Sequence, residues 1–375
     1  MAKKPWLSDT NSPSKVIFFE SRQIFMTNTM TNMMSAVDEG VVQCKGCPCC
    51  GESSFTRWMQ VPERSHAGAG CYELLRCASC SHTWLDNRPM PEEMSYYYGA
   101  NYHRAISHAG ESSTKRWKRQ MRVISKFKTD GCILDIGCSS GAFLGYLQGG
   151  PWKLHGIEPS LTTAERARAM TGANIFAGDV EDAVFAPNSF DVITCSDVME
   201  HLYEPREVFR KVYGWLKPGG IFYVFVPNIK SWEARIFRSY WYGLDLPRHL
   251  HHYSAESLAG LARAVGLREV RMVTPPGRYV EQSTWILLDD LANKAGVGCT
   301  PSDLIAEPGR VWRVLRKAQR LSIGALYSAI ASCCGAAPSL QAVFQKNAGP
   351  DSEQDESVGM QDSRSSQARE GVRVG

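Results

Sequence analysis

The sequence predicts an α/β protein whose sheet carries a nucleotide-type pocket, preceded by a small cysteine-rich module. Three observations carry this. An apolar strand, Ile133 to Ile136, ends in the glycine turn Gly137-Cys138-Ser139-Ser140-Gly141 and runs straight into the helical pattern Ala142 to Leu147. Two later strands each end in an acid, Glu158 after Lys153 to Ile157 and Asp179 after Asn174 to Ala177. Upstream, Cys47-Pro48-Cys49-Cys50 and Cys77-Ala78-Ser79-Cys80 form two knuckles.

The glycine turn is the most informative stretch. Gly137 permits backbone angles other residues resist, and Gly141 removes a side chain where a helix N-terminus is to meet a ligand. In α/β sheets such turns lie at the carboxyl ends of strands, where nucleotide-like ligands bind. Glu158 is placed to accept both ribose hydroxyls, and Asp179 to accept from an adenine amine, with Val180 as an apolar or backbone contact. A nicotinamide dinucleotide would need Gly-x-Gly-x-x-Gly so that the backbone can approach a pyrophosphate. Here Ser139 stands at the second glycine position. A ligand with only a small amino-acid carboxylate tolerates this looser turn.

The ordered pieces Asp135-x-Gly137-x-x-x-Gly141, Gly156-Ile157-Glu158-Pro159-Ser160, Gly178-Asp179-Val180 and Phe190-Asp191-Val192-Ile193 continue downstream. They are followed by Val198-Met199-Glu200-His201-Leu202-x-x-Pro205, Leu216-Lys217-Pro218-Gly219-Gly220, Val226-Pro227-Asn228 and Pro247-Arg248-His249-Leu250. Together, over about residues 100 to 275, they resemble the class I S-adenosylmethionine-dependent methyltransferases, within them the ubiquinone-biosynthesis-like and methyltransferase 23 group. The resemblance implies a Rossmann-like sheet of seven strands with helices on both faces. It also implies donor-binding residues Asp135, Gly137, Cys138, Gly141, Glu158, Pro159, Asp179, Val180 and Ser196.

The knuckles supply four thiolates on two tight bends, the tetrahedral set that zinc prefers. Cys47, Cys50, Cys77 and Cys80 are the expected ligands, with Cys44, Cys49, Cys71 and His82 as substitutes. Phe55 to Trp58 and Tyr72 to Arg76 read as the strands of a zinc ribbon. Four protein ligands leave no open position, so the metal is structural. No N-terminal apolar segment with a cleavage site is visible, so thirteen cysteines point to metal in a reducing cytoplasm rather than to disulfides. Relatives with such a ribbon imply a lid or docking element; stapling a subdomain too short to bury a core is the plainer reading.

Strand Phe190 to Cys195 ends at Ser196-Asp197, where the transferred methyl is expected to lie. The Asn-Pro-Pro-Tyr motif of exocyclic-amine methylases is absent there. Sulfonium is a good leaving group, so alignment supplies most of the catalysis. A general base matters for a hydroxyl or carbon acid. His201 and His249 are the candidates. The resemblance to quinone-ring O-methylases also permits Glu200 and His201 to hold a divalent cation; a plain helix start is the alternative. Three histidines in His249-Leu250-His251-His252 suggest a metal only weakly, and Ser254 with Ser257 reads as a helix cap.

The basic helix Thr114 to Lys128 reads as a solvated face. The resemblance implies that Tyr98 or Tyr102 covers the methionine end of the donor; packing between the ribbon and the core is the alternative for this segment. The expected organisation is a disordered leader 1–43, the ribbon 44–95, the core 96–275, a helical insertion 276–337, the last strand 338–347 and a disordered tail 348–375. Met33 or Met34 is a candidate natural start. The 310–334 stretch combines arginines with an apolar run too short to span a bilayer, and peripheral membrane contact is an expectation. A net charge of +4 gives no strong nucleic-acid attraction. The expected function is methyl transfer to oxygen or carbon of a small, lipid-linked or sugar-linked acceptor. An RNA-modifying methyltransferase and a non-catalytic zinc-ribbon scaffold are the alternatives.

Overall fold

The computed structural model describes residues 41–42, 44–63, 70–98, 111–277, 279–296 and 323–348. The N-terminal module contains β1 (Val41–Val42), β2 (Phe55–Pro62), β3 (Cys71–Cys77), β4 (Thr83–Leu85) and β5 (Arg88–Pro89). Val41 and Val42, at the end of the expected leader, pair antiparallel with β5. Residues 1–40 and 349–375, and with them most of the expected leader and tail, lie outside the described residues. A short helix, α1 (Pro91–Met94), closes the module.

The core runs α2 (Glu111–Ile124), β6 (Gly131–Ile136), α3 (Ala142–Leu147), β7 (Trp152–Glu158), α4 (Leu161–Thr171), β8 (Asn174–Ala177) and β9 (Phe190–Ser196). It continues with α5 (Pro205–Trp215), β10 (Leu216–Pro227), α6 (Trp232–Phe237), β11 (His251–His252), α7 (Ala255–Ala264) and β12 (Leu267–Val273). The insertion supplies α8 (Tyr279–Lys294) and α9 (Ile323–Cys333) before β13 (Ser339–Lys346). Residues 297–322, including most of the basic part of the expected 310–334 helix, lie outside the described residues.

Seven strands form one sheet in the order β12-β13-β10-β9-β6-β7-β8. All run parallel except β13, which is antiparallel to both neighbours. This is the Rossmann-like methyltransferase sheet expected above. Ile133, Leu134, Val192, Ile193, Phe222 and Val224 are buried because helices cover both faces, which is why these strands read as continuous apolar runs. Local signals set the helix ends: Ser160 accepts from Thr163 N at the start of α4, and Ser254 with Ser257 forms a capping box on α7.

One connection was not legible in the sequence. β11 leaves the core and joins the ribbon sheet, whose order is β11-β4-β3-β2, with His251 opposite Trp84 and His252 opposite Thr83. His82, Trp84, His251 and Tyr253 are all buried at this seam, and Cys49 Sγ donates to the carbonyl of Ser257 at 3.2 Å. The ribbon therefore shares a sheet and a hydrophobic cluster with the α/β core.

Candidate active site

The glycine turn is shaped by its neighbours as much as by any ligand. Gly137 has φ +73°, and a Cβ there would lie 2.4 Å from Val198 Cγ2. Gly141, at φ +79°, would bring a Cβ to 3.0 Å from Thr171 Cγ2 and 3.1 Å from Ala167 Cβ. The sequence placed Gly141 against the ligand; the structure shows α4 packing there, so close helix contact demands the glycine. The backbone N–H groups of Gly137 and Cys138 both donate to the carbonyl of Ile157, at 2.9 and 3.0 Å. Glu158 completes the clamp: its carboxylate accepts from Ser139 N at 3.0 Å and from Ser160 N at 3.1 Å. Ser139 is thereby held at φ +50°, a region non-glycine residues visit uncommonly.

Beside this turn opens a cavity of about 630 Å³. Of the residues nominated from sequence, Asp135, Gly137, Cys138, Ser196, His201 and His249 line it. Gly141, Glu158, Pro159, Asp179 and Val180 are not in its wall. Glu158 and Asp179 lie at or just beyond the carboxyl ends of the paired strands β7 and β8. Val180 is buried, while the Asp179 carbonyl accepts from Asp182 N and Ala183 N and so also starts a turn.

The cavity is strongly polarised. Asp135 is buried and accepts from Thr194 Oγ1 at 2.6 Å; burial pushes its carboxyl up to about 7, against the pull of that hydrogen bond and of Arg116. Arg116 and Asp197 form an ion pair at 2.7 Å across the cavity wall. Asp197 raises the guanidinium above its ordinary value. The basic helix was expected to present only a solvated face. One of its arginines lines the cavity instead, because a carboxylate at the end of β9 meets it and its guanidinium lies 5.4 Å over the Phe225 ring. Glu200 is buried at 1% exposure, and burial together with Asp197 raises its carboxyl well above the usual range.

The two histidines nominated as bases come together, with ring centroids 4.7 Å apart. His201 Nδ1 lies 2.9 Å from the Arg248 carbonyl and 3.0 Å from Tyr98 Oη. Burial, with His249 adding to it, lowers His201 to about 3, so its ring is neutral. His249 Nδ1 lies 3.0 Å from the Gly243 carbonyl, a contact that requires the proton on Nδ1. Nε2 is then the basic atom, and Asp245 Oδ2 is 3.7 Å from it. Burial opposes ionisation of Asp245, but His249 and Arg248 outweigh it and hold the carboxyl below its usual value. Tyr98 meets His201, while Tyr102 lies outside the described residues.

Sequence reasoning missed Arg116, Asp197, Asp245, Arg248, Tyr279 and Gln282, all in the cavity wall. Arg248 and Asp197 fall inside stretches noted above, and Asp245 sits four residues before His249; Tyr279 and Gln282 come from α8 in the insertion, and nothing local marks them. Glu200, His201 and His249 each present a ligand atom within 4.8 Å of the others.

In the ribbon, Cys47, Cys50, Cys77 and Cys80 converge, with all four sulfurs within 4.8 Å of one another. Cys47 to Cys80 and Cys50 to Cys77 are each 3.5 Å apart. Tetrahedral zinc with bonds of about 2.3 Å spaces its sulfurs at about 3.8 Å, so the set fits that ion. The proposed substitutes do other things. Cys44 Sγ sits against Arg88, Cys71 is exposed at the edge of β3, and His82 Nε2 pairs with His251 Nδ1 at 3.1 Å.

Residues 103–271 match the family described as "Methyltransferase domain". That match spans just under half of the chain, and the sheet has the Rossmann-like methyltransferase fold. Among curated proteins, the chain is similar to a ubiquinone biosynthesis O-methyltransferase of Paraburkholderia phymatum, 30% identical over 147 residues, 36% of this chain and 63% of that protein. It is also similar to the protein of that name from Neisseria meningitidis serogroup C, 28% identical over 184 residues, covering 45% and 77%. The chain thus spans just under two thirds of the first of these relatives. Among solved structures, a putative sarcosine dimethylglycine methyltransferase from Galdieria sulphuraria aligns at TM-score 0.42 and 15% identity, covering 64% of this chain and 88% of that one. No helix among the described residues is long and apolar enough to cross a membrane.

Proposed function

We propose that the protein transfers a methyl group from S-adenosylmethionine to an acceptor hydroxyl, on a small molecule or a lipid- or sugar-linked one. The observation that carries this reading is the Asp245–His249 pair opening on the same cavity as Asp135 and the Gly137 turn. The donor supplies an electrophilic methyl carbon on a sulfonium; the chain aligns it and manages one proton. Gly137, Cys138 and Ser139 form the turn against which the donor lies, with Glu158 and Asp179 toward its adenosine. His249 Nε2 takes the hydroxyl proton as the oxygen–carbon bond forms and the carbon–sulfur bond breaks, and Asp245 stabilises the resulting imidazolium. The similarity to ubiquinone biosynthesis O-methyltransferases supports oxygen as the methylated atom.

The convergence of Glu200, His201 and His249 favours a second reading, in which these residues hold a divalent cation that acidifies the hydroxyl in place of the base. Zinc held by Cys47, Cys50, Cys77 and Cys80 belongs to both readings as a structural ion.

The experiment is calorimetry with S-adenosylmethionine and S-adenosylhomocysteine, followed by methyl transfer onto a panel of phenolic and sugar hydroxyls. Absence of donor binding by folded, zinc-loaded protein refutes the function. His249→Ala is expected to retain donor binding and lose about 10²- to 10⁴-fold in turnover. Magnesium dependence of turnover after gentle chelation selects the second reading.

A further inference from the structure

A second cavity, of about 320 Å³, lies where the ribbon meets the core and plays no part in the chemistry above. Its wall contains Arg76 from β3, Lys230 and the α6 residue Arg235, and Arg238 just past α6, over a floor of Trp58, Met59, Ile229 and Ala234. Four cations share this space and no carboxylate lines it. In a chain with 42 basic and 38 acidic residues, such segregation of charge is not set by composition.

Arg76 is half-buried and pre-oriented. Its guanidinium lies 4.1 Å over the Trp58 ring, its Nε donates to Thr83 Oγ1 at 3.2 Å, and burial lowers it from its ordinary value. Its terminal nitrogens have no hydrogen-bond partner among the described residues. The side chains of Lys230, Arg235 and Arg238 likewise make no hydrogen bond or ion pair among the described residues. Glu256, held below its ordinary value first by a hydrogen bond to Ser254 and only lastly by the charge of Lys230, stands outside the cavity. Arg238 also adopts φ +51° and ψ −117°, a backbone conformation costly for any residue with a Cβ. Strain of this kind persists where surrounding structure imposes it, and here it sets an arginine on the cavity rim.

Converging guanidinium groups with spare donors match the geometry of phosphate oxygens, and an apolar floor suits the carbon skeleton attached to them. We propose that this cavity binds a phosphate-bearing ligand, a phosphodiester or diphosphate group attached to an apolar or ring-shaped skeleton. The segment carrying Arg238 runs on within four residues to Tyr242 in the wall of the larger cavity. The proposal does not depend on methyl transfer.

The test is calorimetry of the full, zinc-loaded chain with inorganic pyrophosphate and uridine diphosphate, and sedimentation with phosphatidylglycerol and phosphatidylcholine vesicles. The expected result is saturable binding of at least one phosphate source, weakened about tenfold or more in the doubly reversed variant Lys230→Glu, Arg235→Glu and by raised salt. Binding of the soluble diphosphates assigns a free ligand; binding only of phosphatidylglycerol vesicles, with the same loss in the variant, assigns a lipid headgroup. Arg76→Gln in the otherwise intact chain is expected to weaken binding in the same direction. Binding of S-adenosylhomocysteine is measured on every variant, so a loss of fold or of the donor site is seen separately. No binding of any phosphate source, binding unchanged in the folded variants, or binding of an RNA oligonucleotide alone would overturn the proposal.

Discussion

Replacing Asp135 by Asn removes one ionisable group from the edge of the larger cavity while keeping the side chain's shape and its acceptor for Thr194 Oγ1. In the free protein this carboxyl is raised from an ordinary value of 3.8 to about 7 by burial. A shift of roughly three units corresponds to about 4 kcal/mol between the two protonation states. The folded value exceeds the unfolded one, so from pH 4 to pH 7 the unfolded chain has released this proton and the folded chain has not. Stability therefore falls as pH rises through that window, by up to ~1.4 kcal/mol per pH unit, and levels off above it. The Asn variant lacks this contribution. Urea unfolding of both proteins at half-unit steps from pH 4.5 to 8 is expected to show the variant gaining on the wild type across the window. A cationic donor favours the ionised carboxylate, so its apparent dissociation constant is expected to fall close to tenfold between pH 6 and pH 8, as the ionised fraction rises from about a tenth to about nine tenths. Parallel stability curves for the two proteins, or donor affinity that ignores pH, would refute the assignment of a neutral Asp135.

Glu158→Ala is expected to weaken donor binding by roughly 10- to 100-fold, since a charged acceptor contributes about 1.5–3 kcal/mol per hydrogen bond. It is also expected to speed amide exchange at Ser139, whose N–H it accepts; unchanged exchange would show that the clamp is incidental. Gly137→Ala sets a Cβ against Val198 at φ +73° and is expected to lower the melting temperature and abolish donor binding, as read by scanning calorimetry. Cys80→Ser is expected to remove bound zinc, measured by elemental analysis, and to destabilise the catalytic core as well, because β11 is shared with the ribbon. A core that unfolds at the wild-type temperature in that variant would refute the coupling.

Much of this protein is written locally. The strand-turn-helix around Gly137, the acids closing β7 and β8, the cap of α7 and the two cysteine knuckles follow from periodicity, turn chemistry and spacing, which act over a few residues. Several decisions belong to the tertiary structure alone. Gly141 answers to the surface of α4, and Arg116 faces the cavity because Asp197, far along the chain, draws it there. His249 is oriented by a carbonyl at Gly243 and a carboxylate at Asp245 that only the folded segment aims at it. The union of ribbon and core through His251 and His252, and the ring of cations it creates around Trp58, arise from pairing between segments more than 160 residues apart. Short-range preferences choose the elements; which charges and rings meet is settled by long-range burial, where an unpartnered polar group is costly and only the assembled chain can supply the partner.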